Sequence, residues 1–269
     1  MGNLTLTFLG TGTSLGVPIP GCNCEVCSSL DEKDKRLRTS ALITTDLINP
    51  KTNKPVQFTI DAGPDFRYQM LREHVMYLDA ILITHEHRDH IGGLDDVRSY
   101  NYLQQCPMPV YANKEAIKGI MKALYYAFNP HKYPGIPAFE LHEIDIRKVQ
   151  SFNLFGLNII PLEVMHAELP TLAYRIGNLA YITDAKTISD DQKAKLKGVK
   201  TLVVNALRKE EHFSHFSLPE ALSLIEEVQP EVAYLTHLSH LMGPYATFQK
   251  ELPSNVHLAY DGLKIHSTF

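Results

Sequence analysis

The stretch THEHRDHIGG, residues 84 to 93, places His85, His87, Asp89 and His90 within six positions. Imidazole and carboxylate are the ligands a divalent transition metal prefers. The apolar run AILIT leads into them and two glycines follow before a helix, so a strand-to-helix loop can turn all four inward. A solvated polar loop explains one such residue adequately and four together poorly. Four groups cannot complete two metal sites, so further ligands must come from other strand ends. Suitable types stand at three of them: His166 ends LNIIPLEVMH, Asp184 ends LAYITD and His237 ends VAYLTH. Singly, each reads as a satisfied strand-end residue; jointly they supply the missing number and chemistry.

GCNCEVC, residues 21 to 27, holds three of the four cysteines. A redox relay, a structural zinc knot and a catalytic metal site all stay open, because Cys22-x-Cys24-x-x-Cys27 has no fixed fourth partner. Cys106, in QQCPMPV, is expected to be an ordinary buried thiol. Gly10-x-Gly12 followed by Gly16 lacks dinucleotide-binding spacing and reads as a tight turn beside the metal pocket.

The elements that must position these groups follow from pattern. The chain has 269 residues, 44% apolar and 21% charged, which suits one soluble domain, residues 1–269, with a large core. A net charge of −4 without a dense Lys/Arg block does not advertise a duplex-binding surface. The N-terminus MGNLTLTFLGTG has no signal-peptide pattern, and no apolar run approaches the roughly 20 residues of a membrane span. A cytoplasmic location is expected, where clustered cysteines bind metal more often than they form disulfides. Strands are expected at LTLTFLG, VQFTIDA, DAILITH, PVYAN, LNIIPLEVMH, LAYITDA, KTLVVNA, VAYLTH and HLAYDGLKIH. Helical spacing marks DFRYQMLREHV, KEAIKGIMKAL, DQKAKLKG and SLPEALSLIEEVQ; Ser217 and Glu220 form a capping-box pair in the last, with Pro219 in its first turn. Asp261-Gly262 predicts a tight hairpin. This is an α/β pattern of two packed sheets with helices outside. An internal echo accompanies it: Ile60-Asp61-Ala62 returns as Thr183-Asp184-Ala185, and Leu82-Ile83-Thr84-His85 as Tyr234-Leu235-Thr236-His237. YYAFNPHKYPGIPAF, residues 125 to 139, reads as irregular: a lid, a subunit contact, or a surface loop packed by its own aromatics.

The ligand loop with its later His, Asp and His resembles the metallo-β-lactamase-fold hydrolases, whose fold is a four-layer αββα sandwich. The resemblance implies that His85, His87 and His166 hold one metal, that Asp89, His90 and His237 hold a second, and that Asp184 bridges them. Asp61 would stand behind the loop and orient it. The di-iron members of that fold carry a carboxylate where this chain has His87; here Glu86 fills an intervening position, which favours hydrolysis over redox chemistry. TGTSLGVPIPGCNCEVC, with THLSH near the end, resembles one branch, the phosphoribosyl cyclic phosphodiesterases of the carbon–phosphorus lyase pathway and their relatives. It implies a structural zinc on Cys22, Cys24, Cys27 and His240, a closed tetrahedral site. His237 and His240, three apart, would face opposite sides of an extended backbone and serve one site each.

The function so implied is hydrolysis of small or cyclic phosphodiesters. Two divalent ions, Zn or Mn or else Fe, would activate a bridging water and offset charge on phosphorus. His215, in EEHFSHFSLPEAL, matches a catalytic His of that branch and would protonate the leaving alkoxide, with Asp89 also in the catalytic set; His212 is its competitor. Arg208 and Lys209 could hold a phosphate, though a solvated face suits them better. A small-molecule phosphodiester is the expected partner, with no membrane or nucleic acid, in a homodimer. Against this stand a tRNA 3′-processing nuclease, whose long basic arm is not found here, and a thioester or lactam hydrolase, whose branches lack the cysteine knot. A non-hydrolytic metal-binding partner protein is the reading from a different class.

Overall fold

The computed structural model describes residues 2–130 and 133–269. Among these, two seven-stranded mixed sheets carry the fold. In the first, β1 (Asn3–Gly10), β2 (Ser40–Asn49), β3 (Lys54–Ile60), β4 (Ala80–Leu82), β5 (Met108–Ala112) and β6 (Phe139–Glu143) lie side by side in chain order. The second runs from β7 (Phe152–Leu154) through β8 (Leu157–His166), β9 (Leu169–Ile176), β10 (Leu179–Ile182), β11 (Thr201–Asn205) and β12 (Val232–Thr236) to β13 (Val256–Leu258). The last strand, β14 (Lys264–Thr268), returns to the first sheet and pairs antiparallel with β1.

Alternation along the strands explains the layers. Both faces of each sheet are buried, so the apolar runs are nearly continuous and successive residues serve different cores. Ala80 and Leu82 of β4 point between the sheets, whereas Ile81 points outward to the helices. In β11, Val203 faces the partner sheet while Leu202 and Val204 face helices. Phe8, Phe58, Tyr174 and Tyr181 fill the space between the sheets. Helices α1 (Phe66–Arg72), α2 (Arg88–Ile91), α3 (Arg98–Gln104) and α4 (Lys114–Ala123) cover the first sheet through Phe66, Met70, Tyr100 and Ile120. The second sheet is covered by α5 (Asp190–Ala194), α6 (Leu218–Val228) and α7 (Tyr245–Phe248), with Leu224, Ile225 and Phe248 inward. This is the αββα sandwich. At the start of α6 the Glu220 carboxylate accepts from both the backbone and the hydroxyl of Ser217, at 2.8 and 2.7 Å.

Register aligns the strand ends. In the parallel half of the first sheet Ile60 lies opposite Leu82, and Leu82 opposite Tyr111. In the second sheet Ile182 lies opposite Val204, Val204 opposite Leu235, and Asn205 opposite Thr236. Each sheet therefore delivers the residues just beyond its parallel strands to one edge.

Three expectations need correction. Asp261-Gly262 is not a hairpin turn, because β13 and β14 belong to different sheets. The Asp261 carboxylate accepts from Thr11 Oγ1 and Leu37 N, both at 2.8 Å, and Gly262 N donates to Phe8 O, so this turn carries the chain across the sandwich. Cys106 is exposed, not buried, since it sits in the surface turn between α3 and β5. The helix of the ligand loop begins at Arg88, ahead of the glycines, so Asp89 and His90 lie in its first turn. Strands β2, β6, β7 and β9 carry no clear apolar alternation in sequence, and β9 contains Pro170, a residue that argues against a strand. In the 125–139 segment Phe128 stacks on Phe139 at 5.8 Å and the Tyr126 hydroxyl donates to Asp95, the behaviour of a loop packed by its own aromatics. His131 and Lys132 lie outside the described residues, and among the described residues no helix is long and apolar enough to cross a membrane.

Candidate active site

Asp61, Asp184 and His237 each follow a strand end with positive φ, at 64°, 57° and 56°. A left-handed backbone at a residue other than glycine is costly and persists only where the surroundings enforce it. Here each one swings a side chain out of its strand direction toward a common centre. Asn205 enforces the turn at Asp184: its amide accepts from Ala185 N at 2.8 Å and donates to Ala185 O at 3.0 Å.

Asp184 is the hub. Its Oδ2 lies 3.2 Å from His90 Nε2, 3.7 Å from His85 Nε2 and 3.4 Å from His215 Nε2, and its Oδ1 lies 3.1 Å from His237 Nδ1. His85, His87 and His166 converge as one group whose ligand atoms all lie within 4.8 Å of one another, and Asp89, Asp184 and His237 as another. His90 Nε2 joins the second from 3.3 Å off Asp89 Oδ2. His166, Asp184 and His215 form a further group whose ligand atoms lie within 4.8 Å of one another.

Hydrogen bonds set which ring nitrogens are free. Asp61 accepts from Thr84 N, from the Thr84 hydroxyl and from His90 Nδ1, the last at 2.7 Å. The Thr84 hydroxyl has spent its proton on Asp61, so at 3.0 Å it accepts from His85 Nδ1–H. His166 Nδ1 donates to Ser214 O at 2.7 Å. The Nε2 atoms of His85, His90 and His166 are thereby left as lone pairs facing inward. Those of His85 and His90, with His237 Nδ1, are fully buried and have no hydrogen-bond partner. Burial of such atoms without partners is costly, and a cation bound between them removes that cost.

Charge points the same way. Burial and its neighbour His90 hold His85 well below the ordinary imidazole value, and burial presses His237 down to about 4. Burial opposes ionisation of Asp184, yet His237 and His90 hold it well below the usual carboxylate range. Burial opposes charge on His90, yet Asp184, Asp61 and Asp89 hold it well above the ordinary imidazole value. A divalent cation would replace the proton on its Nε2 and join the low-lying His85 and His237 beside an ionised carboxylate.

Above this centre opens a cavity of about 400 Å³, whose walls include Thr13, Leu15, Ile19, Arg208, His212 and Leu241. His87, exposed, stands on its floor. Lys209 does not line it; its ammonium lies 3.4 Å from Glu251 and over the Phe248 ring. None of the described residues of 125–139 lines it, which leaves the lid reading without support.

Beside the cavity the sulfurs of Cys22, Cys24 and Cys27 stand 3.4, 3.3 and 3.5 Å from His240 Nδ1. Tetrahedral zinc, with Zn–S near 2.3 Å and Zn–N near 2.0 Å, places sulfur and nitrogen about 3.5 Å apart, so the four groups fit that ion. The Cys27 backbone N–H donates to Cys24 Sγ and, despite partial desolvation, helps bring this thiol down to about 6; burial pushes Cys27 up to about 11. His237 and His240 part company without extended backbone: the chain turns left-handed at His237 and enters a single helical turn at His240. Leu238 between them donates to Thr11 O, which binds this turn to the segment leading to the cysteines.

Residues 57–238 match the Beta-lactamase superfamily domain family. The chain belongs to that superfamily. The matched span of the β-lactamase superfamily domain holds all seven residues expected to hold the catalytic metals, and stops short of His240. Among solved structures, a new diphosphatase from the PhnP family superposes with a TM-score of 0.89 at 37% identity, covering 98% of this chain and 97% of that one. The protein thus has the metallo-β-lactamase fold and is of the PhnP type. An octanoyltransferase of Porphyromonas gingivalis (strain ATCC BAA-308 / W83) is 40% identical over 258 residues, 96% of this chain and 50% of that protein. The chain therefore spans about half the length of that relative. Ribonuclease BN of Cronobacter sakazakii (strain ATCC BAA-894) is 28% identical over 145 residues, 52% of this chain and 40% of its own. The fold implies use of divalent metal.

Sequence reasoning missed Thr84, Asn205 and Ser214, which hold ligands in place. Thr84 had a signal, since Thr precedes His in both copies of the echo. Asn205 and Ser214 had none, because their partners, the Ala185 backbone and the His166 ring, are distant in the chain.

Proposed function

We propose that the protein is a dinuclear-metal phosphodiesterase acting on small or cyclic phosphodiesters. The observation that carries this reading is the position of Asp184 between two donor sets at the floor of an open cavity. In it His85, His87 and His166 hold one divalent ion, Asp89, His90 and His237 the other, and Asp184 spans both. When bound, such a pair supplies a nucleophile from water at neutral pH and offsets charge on the phosphoryl oxygens. Asp61 and the carbonyl of Ser214 keep the imidazoles oriented. His215, on the rim of the centre, protonates the leaving oxygen from Nε2. Cys22, Cys24, Cys27 and His240 hold a structural zinc that fastens the N-terminal loop to the turn carrying His237. The core shared by the two sheets supports reading residues 1–269 as one domain. Dense thiols suit a reducing cytoplasm.

Diphosphate cleavage is the nearest second reading, favoured by the likeness to a PhnP-family diphosphatase. In either substrate a P–O bond breaks as water oxygen attacks phosphorus, so the same residues serve both. A nuclease is less well supported: the likeness to ribonuclease BN covers about half the chain, and Arg208 is the one Lys or Arg among the described residues lining the cavity.

The test is metal content per chain together with a substrate panel: aryl and cyclic phosphodiesters, a nucleoside diphosphate, a short RNA and an octanoyl thioester. Two transition-metal equivalents plus one zinc, with turnover of the diesters, support the proposal. Turnover confined to the thioester or to RNA overturns it.

A further inference from the structure

His212 entered the sequence reading as a rival of His215, but the structure places the two in one chain of hydrogen bonds through Ser214. The Ser214 backbone N–H donates to His212 Nδ1 at 3.3 Å, and the Ser214 hydroxyl lies 3.2 Å from the same nitrogen and 2.9 Å from His215 Nδ1. A backbone amide can only donate, so His212 Nδ1 carries a lone pair. It accepts the single hydroxyl proton as well, which leaves Ser214 Oγ to accept from His215 Nδ1–H. Proton positions are thus ordered outward from a main-chain group. His215 Nδ1 is committed, and Nε2 is the nitrogen turned to the metal centre, 3.4 Å from Asp184 Oδ2. Phe213 between the two histidines is 77% exposed, so the turn is held at Ser214, whose carbonyl also accepts from His166 Nδ1 at 2.7 Å.

We propose that His212 and the Ser214 hydroxyl are positioning residues, which hold the ring of His215 with its Nδ1 proton on Ser214 and its Nε2 toward the leaving oxygen. The inference rests on the reading of His215 as proton donor. As water oxygen bonds to phosphorus and the bond to the leaving oxygen breaks, that oxygen takes the Nε2 proton. The ring is left neutral, with its remaining proton on the nitrogen that Ser214 already binds.

The test compares two diesters: a ribonucleoside 2′,3′-cyclic phosphate, which expels an alkoxide, and bis(p-nitrophenyl) phosphate, whose leaving group departs unprotonated. His212→Ala and Ser214→Ala should each lose about tenfold in kcat on the cyclic substrate, part of the roughly 10²–10⁴ that a general acid supplies, and little on the aryl one. Metal content should stay unchanged, and His212→Gln, whose amide oxygen can accept from Ser214, should recover most of the rate. Joined to His215→Ala, neither substitution should cost anything further. If His215→Ala discriminates between the substrates while His212→Ala and Ser214→Ala lose equally on both, or add to its loss, the positioning role is overturned. If His215→Ala itself fails to discriminate, the donor reading falls and takes this proposal with it. Absence of wild-type turnover on both diesters overturns the functional reading instead.

Discussion

Asp61 and Asp184 share a sequence context and a left-handed backbone but do opposite work. Asp61 spends its oxygens on Thr84 and on the outer nitrogen of His90, whereas Asp184 turns both of its own into the centre. The two should therefore fail differently. Asp184→Asn removes the charge between the two donor sets and is expected to lose at least one catalytic metal and nearly all turnover. Metal content and rate check this; a variant with both metals and full activity would place Asp184 outside the site. Asp61→Asn tolerates the same φ but presents an amide N–H to His90 Nδ1–H. Metal affinity should fall by roughly 10–100-fold in a folded protein, read by titration against a competing chelator.

The strand ends work because other elements press on them. Asn205, the last residue of β11, holds both backbone groups of Ala185. Asn205→Ala leaves that buried N–H without a partner, at about 1–3 kcal/mol, while the C=O keeps the Phe216 N–H at 2.7 Å. The substitution should lower both the unfolding midpoint and metal affinity. Helix α4 bears on the ligand loop at Gly119, where an added Cβ would stand 2.3 Å from the Glu86 Cβ. Helix propensity alone would have Gly119→Ala gain roughly 1 kcal/mol. Contact with the loop reverses the sign, so thermal unfolding should show a loss; a more stable variant would mean that α4 does not constrain the loop. The cysteine loop acts at the same scale. Cys24→Ser should lower zinc content and thermal stability first, and the fraction still folded should keep near-normal turnover, because a closed tetrahedral site offers substrate no position. A zinc-replete, stable but inactive variant would sink that assignment.

Asp261 joins distant parts of the chain, accepting from Thr11 and Leu37 after the crossing from β13 to β14. Burial, the dominant cause, pushes it from 3.8 up to about 6 against the pull of Arg72 and Arg36. Its protonated form is therefore favoured by folding. That contribution is fully present below pH 3.8 and is lost as pH rises through about 6, a change of roughly 3 kcal/mol. Relative to wild type, Asp261→Asn should gain stability across this window in denaturant titrations; parallel curves would show that the carboxyl is not so displaced. Much of this molecule was legible in one dimension. Ligand type is a property of single residues, and apolar runs ending on His or Asp are local, so the seven candidate ligands that the fold brings together and the layered α/β class could be read directly. The partner of the three cysteines, more than 200 residues away, was available only through resemblance. Pairing of β14 with β1, exposure of Cys106, the clamp at Ala185 and the protonated nitrogen of each imidazole were decided by the tertiary structure. Each depends on contacts between segments distant in the chain, and strand register and left-handed turns set those contacts, whereas local sequence pattern constrains neither.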